Sequence, residues 1–152
     1  MQETVLVSRC MLPDDLAAEM GANNRCRYNG TSRPQPEISK LAARGVVIIP
    51  FCPEEDAGMA TPRDPAERQK DGRVVTNKGE DVTASFMAGA KMALTICQEN
   101  NVKKAILMKN SPSCGKRTYN GEFNGTIANY GGITAELLME NDIDVTSSDE
   151  LT

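Results

Sequence analysis

The fold is decided by the stretch VVIIPFCPE at residues 46–54, where an apolar, β-branched run leads directly into a cysteine. Two further short apolar runs, at residues 5–7 and 105–108, are also typical of buried strands. Amphipathic helical patterns lie between these strands, at about residues 35–44 and 82–100. Because strands that alternate with helices over such distances form βαβ units, we predict a small three-layer α/β domain, Rossmann-like, with a mostly parallel sheet.

The remaining pattern extends the sheet and leaves long loops. A further helix is predicted at about residues 133–140, followed by an edge strand at residues 143–145. The segments 13–24, 50–68 and 111–132 are predicted loops, and they carry most of the glycine and proline. Loops of that length in a compact domain are usually functional or disordered, and we expect these to be the functional loops.

Composition narrows the classes of function. The chain has 152 residues, of which 39% are hydrophobic and 25% charged, so we expect residues 1–152 to form a single domain. It contains no histidine, which excludes Ser-His-Asp and Cys-His catalysis and leaves acid–base work to carboxylates, thiols, lysines or tyrosines. Because the formal net charge is −4 and no basic cluster occurs, bulk nucleic acid is not an expected partner.

The sequence also bears on the compartment. It has no secretory signal pattern and no apolar run approaching about 18 residues, so we expect a cytoplasmic protein with no membrane partner. In that compartment, an odd number of cysteines is more typical of thiols or metal ligands than of a disulfide framework. No feature of the sequence indicates an oligomeric state.

Three of the five cysteines follow predicted strands. Cys10 lies just beyond the first strand, Cys52 just beyond the second, and Cys114 a few residues beyond the third. Because parallel strands end at one edge of the sheet, where open α/β sheets bind ligands, these thiols are expected to converge. Without histidine, three converging thiolates suit either zinc or an iron–sulfur cluster. The absence of a CxxC pair favours a cluster with an open iron site, although free cysteines are also common as ordinary buried residues.

The other two cysteines are placed differently. Cys97 falls on the apolar stripe of the second predicted helix, and we expect it to be a core residue. Cys26 lies in a loop between the first strand and the first helix, from which it could reach the same edge of the sheet. A fourth ligand, a reactive thiol and a packed loop residue all remain open for Cys26.

Polar groups adjoin two of the candidate ligands. The sequence Cys52-Pro53-Glu54 fixes a carboxylate near one thiol, and Ser111 and Ser113 come just before Cys114. Glu54 could supply the acid–base group that histidine cannot, and a serine could orient a substrate. A solvated glutamate and a turn-capping serine are the alternatives. The shared position beside candidate ligands favours the functional interpretation.

The loop at residues 50–68 holds one more candidate. Arg63 could bind an anionic or carbonyl oxygen, or it could simply pair with Glu67. The sequence leaves both interpretations open. No GxGxxG or Walker A phosphate loop occurs in the chain, so a nucleotide-binding domain of the usual dinucleotide type is disfavoured.

Six short motifs are spread over nearly the whole chain. They are VSRC at residues 7–10, CRYNG at 26–30, CPE at 52–54, TPR at 61–63, GEDVT at 79–83 and SPSCG at 111–115. As a set and in this order, they resemble the thiouracil desulfurase family. One segment departs from the family pattern, since residues 11–25 are longer than is usual there.

The resemblance implies a cofactor and a reaction. It implies an oxygen-sensitive [4Fe–4S] cluster held by Cys10, Cys52 and Cys114. It also implies a non-redox reaction that removes sulfur from 2-thiouracil or a related thiolated pyrimidine base or nucleoside, giving uracil and hydrogen sulfide. In the implied mechanism, the substrate sulfur binds at the open iron site and Glu54 handles the water and proton transfer.

Further residue roles come with the resemblance. Ser111 is implied as a second catalytic residue that forms a hydrogen bond with the pyrimidine. Ser113 and Arg27 are implied to bind the substrate. The expected partner is therefore a small thiolated pyrimidine. Two alternatives stay open. The same cluster could serve a sulfur transferase or sulfide carrier, or the cysteines could be structural in a zinc-bound or metal-free binding domain.

Overall fold

A four-stranded sheet forms the centre of the chain in the computed structural model, which describes residues 2–151. The strands and helices follow in the order β1 Thr4–Ser8, α1 Asp14–Met20, α2 Pro36–Ala43, β2 Val47–Phe51, α3 Pro53–Asp56, β3 Ala66–Arg68, β4 Val74–Thr76, α4 Thr83–Glu99, β5 Lys104–Leu107, α5 Ile133–Glu140 and β6 Asp144–Ser147. Short 3-10 helices follow β1 and β6, at Arg9–Met11 and Ser148–Glu150.

All four strands of the main sheet run parallel, in the order β2-β1-β5-β6. Leu6 of β1 is paired with Ile49 of β2 on one side and with Ala105 of β5 on the other. The carboxyl ends of β1, β2 and β5 therefore lie side by side at one edge. This register confirms the predicted α/β class and explains how distant segments come to share that edge.

Helices cover both faces of this sheet. Alternate residues of β1 point to opposite faces, so that Leu6 packs in a cluster with α4 and α5, while Val5 and Val7 pack in a cluster with α1 and α2. The predicted three-layer arrangement is thus confirmed. None of the helices among residues 2–151 is long and apolar enough to cross a membrane.

The prediction that residues 13–24 and 50–68 form loops is wrong in part. The first segment contains α1, which carries Asp14 and Asp15 in its first turn and ends at Gly21 in the left-handed conformation, with φ at 64°. These are ordinary helix-end signals, but the helix is too short to show a periodic apolar stripe. Helix α1 fills part of the segment that is long for the family pattern.

The second segment contains α3 and the first strand of a small hairpin. Helix α3 is four residues long and begins with Pro53, a residue suited to the first helical position. Strands β3 and β4 are three residues each and pair antiparallel outside the main sheet. Elements this short carry no usable periodicity. The segment 111–132, in contrast, consists of turns and isolated bridges as predicted.

Helix α4 approaches α3 very closely at Gly89. A Cβ atom built at Gly89 would lie 2.3 Å from the carbonyl oxygen of Pro53, well inside van der Waals contact. Only glycine therefore allows the two backbones to meet here. The turn that follows Cys52 rests directly on this part of α4.

We expect Gly89→Ala to lower the free energy of unfolding by about 1–3 kcal/mol, because the added methyl group overpacks this contact. In an unobstructed helix interior, replacing glycine by alanine raises the free energy of unfolding. The sign of the change therefore shows whether the close contact exists. Urea denaturation of the two proteins measures the difference. Thr95→Ala on the exposed side of α4 is the matched control, with an expected change within about 0.5 kcal/mol. An unchanged or raised stability for Gly89→Ala would contradict the contact.

Candidate active site

A cavity of about 270 Å³ opens at the carboxyl edge of the sheet. It is bordered by the ends of β1 and β2, by the loop after β5 and by the segment that leads into β3. Of the site residues expected from the sequence, six line this cavity: Cys10, Arg27, Cys52, Glu54, Ser111 and Cys114. Ser113 is not among the lining residues, although it lies directly behind Glu54.

Each candidate ligand reaches the cavity from a different strand end. Cys10 lies in the 3-10 helix after β1, Cys52 lies between β2 and α3, and Cys114 lies in the turn-rich segment after β5. All three are free thiols with 5–7% of their surface exposed. The parallel register of the sheet is what brings them to one cavity.

Cys26 adds a fourth thiol to the same cavity. It is 2% exposed, and its carbonyl oxygen lies 3.8 Å from Sγ of Cys52. Its thiol lies beside the thiols of Cys10 and Cys52, which both affect its pKa. The loop comes back to this position because the backbone N–H of Arg33 donates to the Cys10 carbonyl at 2.7 Å. The structure therefore brings Cys26 to the same edge of the sheet as the three candidate ligands, as its loop position allowed.

Burial and neighbouring groups favour the neutral form of three of these thiols, Cys26, Cys52 and Cys114. Interaction with the Cys10 thiol, together with burial, raises the pKa of Cys26 to about 12 despite an opposing interaction with Cys52. Hydrogen bonding to Cys26, followed by burial, raises the pKa of Cys52. Burial and the nearby Glu54 charge raise the pKa of Cys114 to about 12. Binding of a metal group by these residues therefore has to displace protons.

Cys97 stands apart from this group. It is 1% exposed in the core cluster between the sheet and α4, away from the cavity. Burial alone raises the pKa of its thiol to about 11. Its position agrees with the core role expected from the apolar stripe.

Glu54 is held from two sides. The Ser113 hydroxyl donates to Oε1 of Glu54, and Nη2 of Arg63 donates to Oε2 at 3.3 Å. The Glu54 side chain is only 12% exposed, so the alternative of a solvated glutamate does not describe it. A carboxylate fixed at both oxygens has a defined orientation toward the cavity.

The two serines have different surroundings. Ser111 lines the cavity, and its Oγ accepts the backbone N–H groups of Ser113 at 3.2 Å and Cys114 at 3.1 Å. It therefore caps the turn that carries Cys114 while its hydroxyl borders the cavity. Ser113 is completely buried and contacts Glu54 and, at 3.5 Å, Sγ of Cys114.

The two loop arginines also differ. Arg27 lines the cavity, and its Nη1 donates to Oγ1 of Thr31 at 3.0 Å. Arg63 pairs with Glu54 rather than with Glu67, so the second of its two open interpretations does not hold. Glu67 instead accepts backbone N–H groups of the segment 121–123 and fastens that segment to the hairpin.

Sequence reasoning missed Arg9, which joins two of the thiol-bearing turns. Its Nη1 donates to both carboxylate oxygens of Asp56 at 3.0 Å, and Oδ2 of Asp56 accepts the backbone N–H of Cys52 at 3.0 Å. Nη2 of Arg9 also pairs with Glu55. This network ties the turn of Cys10 to the turn of Cys52. The only sequence signal was that Arg9 precedes a candidate ligand.

The donor set fits an iron–sulfur cluster. Thiolates are the usual ligands of such clusters, and four buried, unpaired thiols border this one cavity. The four thiols are not arranged around one point, as the ligands of a single metal ion would be. Among residues 2–151, no three histidine, cysteine or acidic side chains are arranged to hold one metal ion. A cluster takes its thiolates on separate irons, so its ligands need not meet at one point.

Comparison with known proteins decides the family. The family model described as 2-thiouracil desulfurase matches residues 5–150. The chain belongs to the 2-thiouracil desulfurase family. The resemblance seen in the sequence motifs is thereby confirmed, and the match includes all of the cavity-lining residues named above.

Two individual relatives accompany the 2-thiouracil desulfurase match. The protein YbbK of Bacillus subtilis (strain 168), described as uncharacterized, is 36% identical over 157 aligned positions that cover 97% of each protein. A solved structure described as the [4Fe–4S]-dependent thiouracil desulfidase TudS is 40% identical, with a TM-score of 0.85. The similarity covers 99% of this chain and 93% of that one, so the two folds correspond over nearly their whole length.

Proposed function

We propose that this protein is a [4Fe–4S]-dependent desulfurase that converts 2-thiouracil, or a related thiolated pyrimidine base or nucleoside, to uracil and hydrogen sulfide. The observation that carries the proposal is the meeting of four buried thiols with a fixed carboxylate, Glu54, in one cavity. Membership of the 2-thiouracil desulfurase family and similarity to the desulfidase TudS support it.

Cys10, Cys52 and Cys114 are the proposed cluster ligands. They approach the cavity from three separate strand ends, whereas Cys26 comes from the loop between α1 and α2. Three ligands leave one iron without a protein thiolate. When bound, such a cluster supplies a soft Lewis acid that polarises a carbon–sulfur bond.

The residues of the chain supply the proton chemistry. Glu54 takes a proton from the water that attacks the thiocarbonyl carbon and passes it to the sulfur, and as the carbon–sulfur bond breaks it passes the second proton from the new hydroxyl group to the sulfur as well. Both water protons thus leave with hydrogen sulfide, and the water oxygen becomes the carbonyl oxygen of uracil. Because Ser113 donates its hydroxyl hydrogen to Glu54, the Ser111 hydroxyl is the donor in the 3.1 Å bond between the two serines, and it has to turn away from Ser113 to bond a molecule in the cavity. Full burial of Ser113 supports a role in holding Glu54 rather than in touching the substrate.

The other cavity walls suit a small planar molecule. Apolar side chains line much of the cavity, among them Tyr28, Met59, Phe86 and Tyr119. Arg27 provides a guanidinium group for a pyrimidine oxygen.

The family match over residues 5–150 supports one domain, and the free thiols are consistent with a cytoplasmic location.

Anaerobic reconstitution tests the function. The purified chain is loaded with iron and sulfide under strict exclusion of oxygen, desalted, and incubated with 2-thiouracil. We expect a brown protein that releases uracil and sulfide in equal amounts, with apoprotein inactive in parallel. A colourless protein that binds zinc would contradict the proposal. Thiouracil formed from uracil and a sulfur donor would instead indicate a sulfur transferase.

A further inference from the structure

Arg63 has no role in the function proposed above, yet its side chain is almost enclosed by the site. Nη1 donates to the carbonyl oxygen of Ala60 at 3.3 Å and to Oγ1 of Thr61 at 2.8 Å. Nη2 donates to the carbonyl oxygen of Cys26 at 2.9 Å and to Oε2 of Glu54 at 3.3 Å. Only 10% of the side chain is exposed.

These contacts use every terminal hydrogen of the guanidinium group. Each Nη carries two N–H hydrogens, and each Nη atom has two acceptors in the protein. The group therefore has no terminal donor left for a substrate oxygen. A direct substrate-binding role through either Nη atom, which the sequence left open for Arg63, would require one of these bonds to break.

The backbone of Arg63 is anchored as well. Its N–H donates to the carbonyl oxygen of Tyr28 at 2.8 Å, so the residue is joined to the loop of Cys26 at both its backbone and its side chain. Glu54 lies on α3, after a different strand end. Arg63 thus connects two separate walls of the cavity.

We propose that Arg63 is a positioning residue that fixes the Glu54 carboxylate and the Cys26 loop relative to each other. This inference rests on the proposed function, in which Glu54 handles the water and the protons. Arg63 holds Oε2 while Ser113 holds Oε1, so that loss of either donor lets the carboxylate rotate. The planar guanidinium group of arginine can hold both partners because its donors point in fixed directions, whereas the ammonium group of lysine is a single point charge.

Two variants and a double-mutant cycle test the proposal. We expect Arg63→Met to lower kcat at least 10-fold with little change in KM, because productive geometry is lost after the substrate has bound. In a Glu54→Gln background the same substitution should cause little further loss, since the carboxylate it positions is absent. An equal loss in both backgrounds would overturn the proposal, as would wild-type kcat in Arg63→Lys.

A crystal structure of Arg63→Met gives a readout that does not depend on activity. We expect the Glu54 carboxylate to leave its wild-type position or to occupy several, and an unmoved carboxylate would overturn the proposal. Arg73→Met is the matched control, because Arg73 pairs with Asp71 on the exposed hairpin turn. If wild-type protein released no sulfide, the proposed function would fail, while these structures would still decide whether Arg63 orients Glu54.

Discussion

Cys52→Ala is expected to lose the cluster completely and with it all release of sulfide. Cys52 is the proposed ligand at the end of β2, and its turn is fixed by Asp56 on one side and by the close approach of α4 on the other. Alanine leaves this backbone in place but removes the thiolate. The loss of iron would therefore come from a missing ligand and not from a collapsed site.

Iron and sulfide analysis after anaerobic reconstitution measures the effect, together with the visible absorbance of the cluster. Cys97→Ala is the matched control, since Cys97 is equally buried but lies in the core away from the cavity. We expect that variant to retain the cluster. Full iron content in Cys52→Ala would show that the ligand assignment is wrong.

Cys26→Ala separates the proposed ligand set from its neighbour. The Cys26 thiol lies beside Cys10 and Cys52 on a loop that follows no strand, which supports an auxiliary position beside two ligands. We expect Cys26→Ala to keep the iron content of the wild-type protein. If it lost as much iron as Cys52→Ala, Cys26 would have to replace one of the three proposed ligands.

The shared carboxyl edge of the sheet could be predicted because buried parallel strands are recognisable in the sequence as apolar runs. Each of β1, β2 and β5 contains a short, continuous apolar run, as expected for strands covered on both faces. Once the three runs are assigned to one parallel sheet, their carboxyl ends must be neighbours. The meeting of Cys10, Cys52 and Cys114 at one cavity follows from that topology.

The parts that could not be predicted depend on contacts between distant segments. The bond from Ser113 to Glu54 joins residues 59 positions apart, and the bond from Arg63 to Cys26 joins residues 37 positions apart. No local pattern specifies either pair. The orientation of Glu54 also depends on α3, whose four residues are too few to show a period.

The role of Cys26 was open in the sequence for a similar reason. Its position depends on how the long segment after Cys10 returns, which involves α1 and the bond from Arg33 to the Cys10 carbonyl. The motif around Cys26 is visible in the sequence, but its distance from the other thiols is a property of the folded loop. Tertiary contacts decide such placements more often than propensity does.

Glu54→Gln is expected to retain the cluster and to lower turnover by about 10²–10⁴-fold, the usual contribution of general acid–base catalysis. Glutamine has the same shape and can keep both contacts. Its amide oxygen can accept from Arg63, and its amide N–H can donate to the Ser113 hydroxyl, which rotates to accept. The geometry is therefore preserved, while the group that takes the proton from water is lost.

Sulfide release from 2-thiouracil measures the turnover, and iron content with visible absorbance shows whether the cluster is intact. Glu99→Gln, which changes an exposed carboxylate at the end of α4, is the matched control and should be as active as wild type. A fully loaded Glu54→Gln protein with wild-type turnover would remove Glu54 from the mechanism. Loss of the cluster in that variant would instead assign Glu54 to cluster binding, since the carboxylate lies in the same cavity as the thiols.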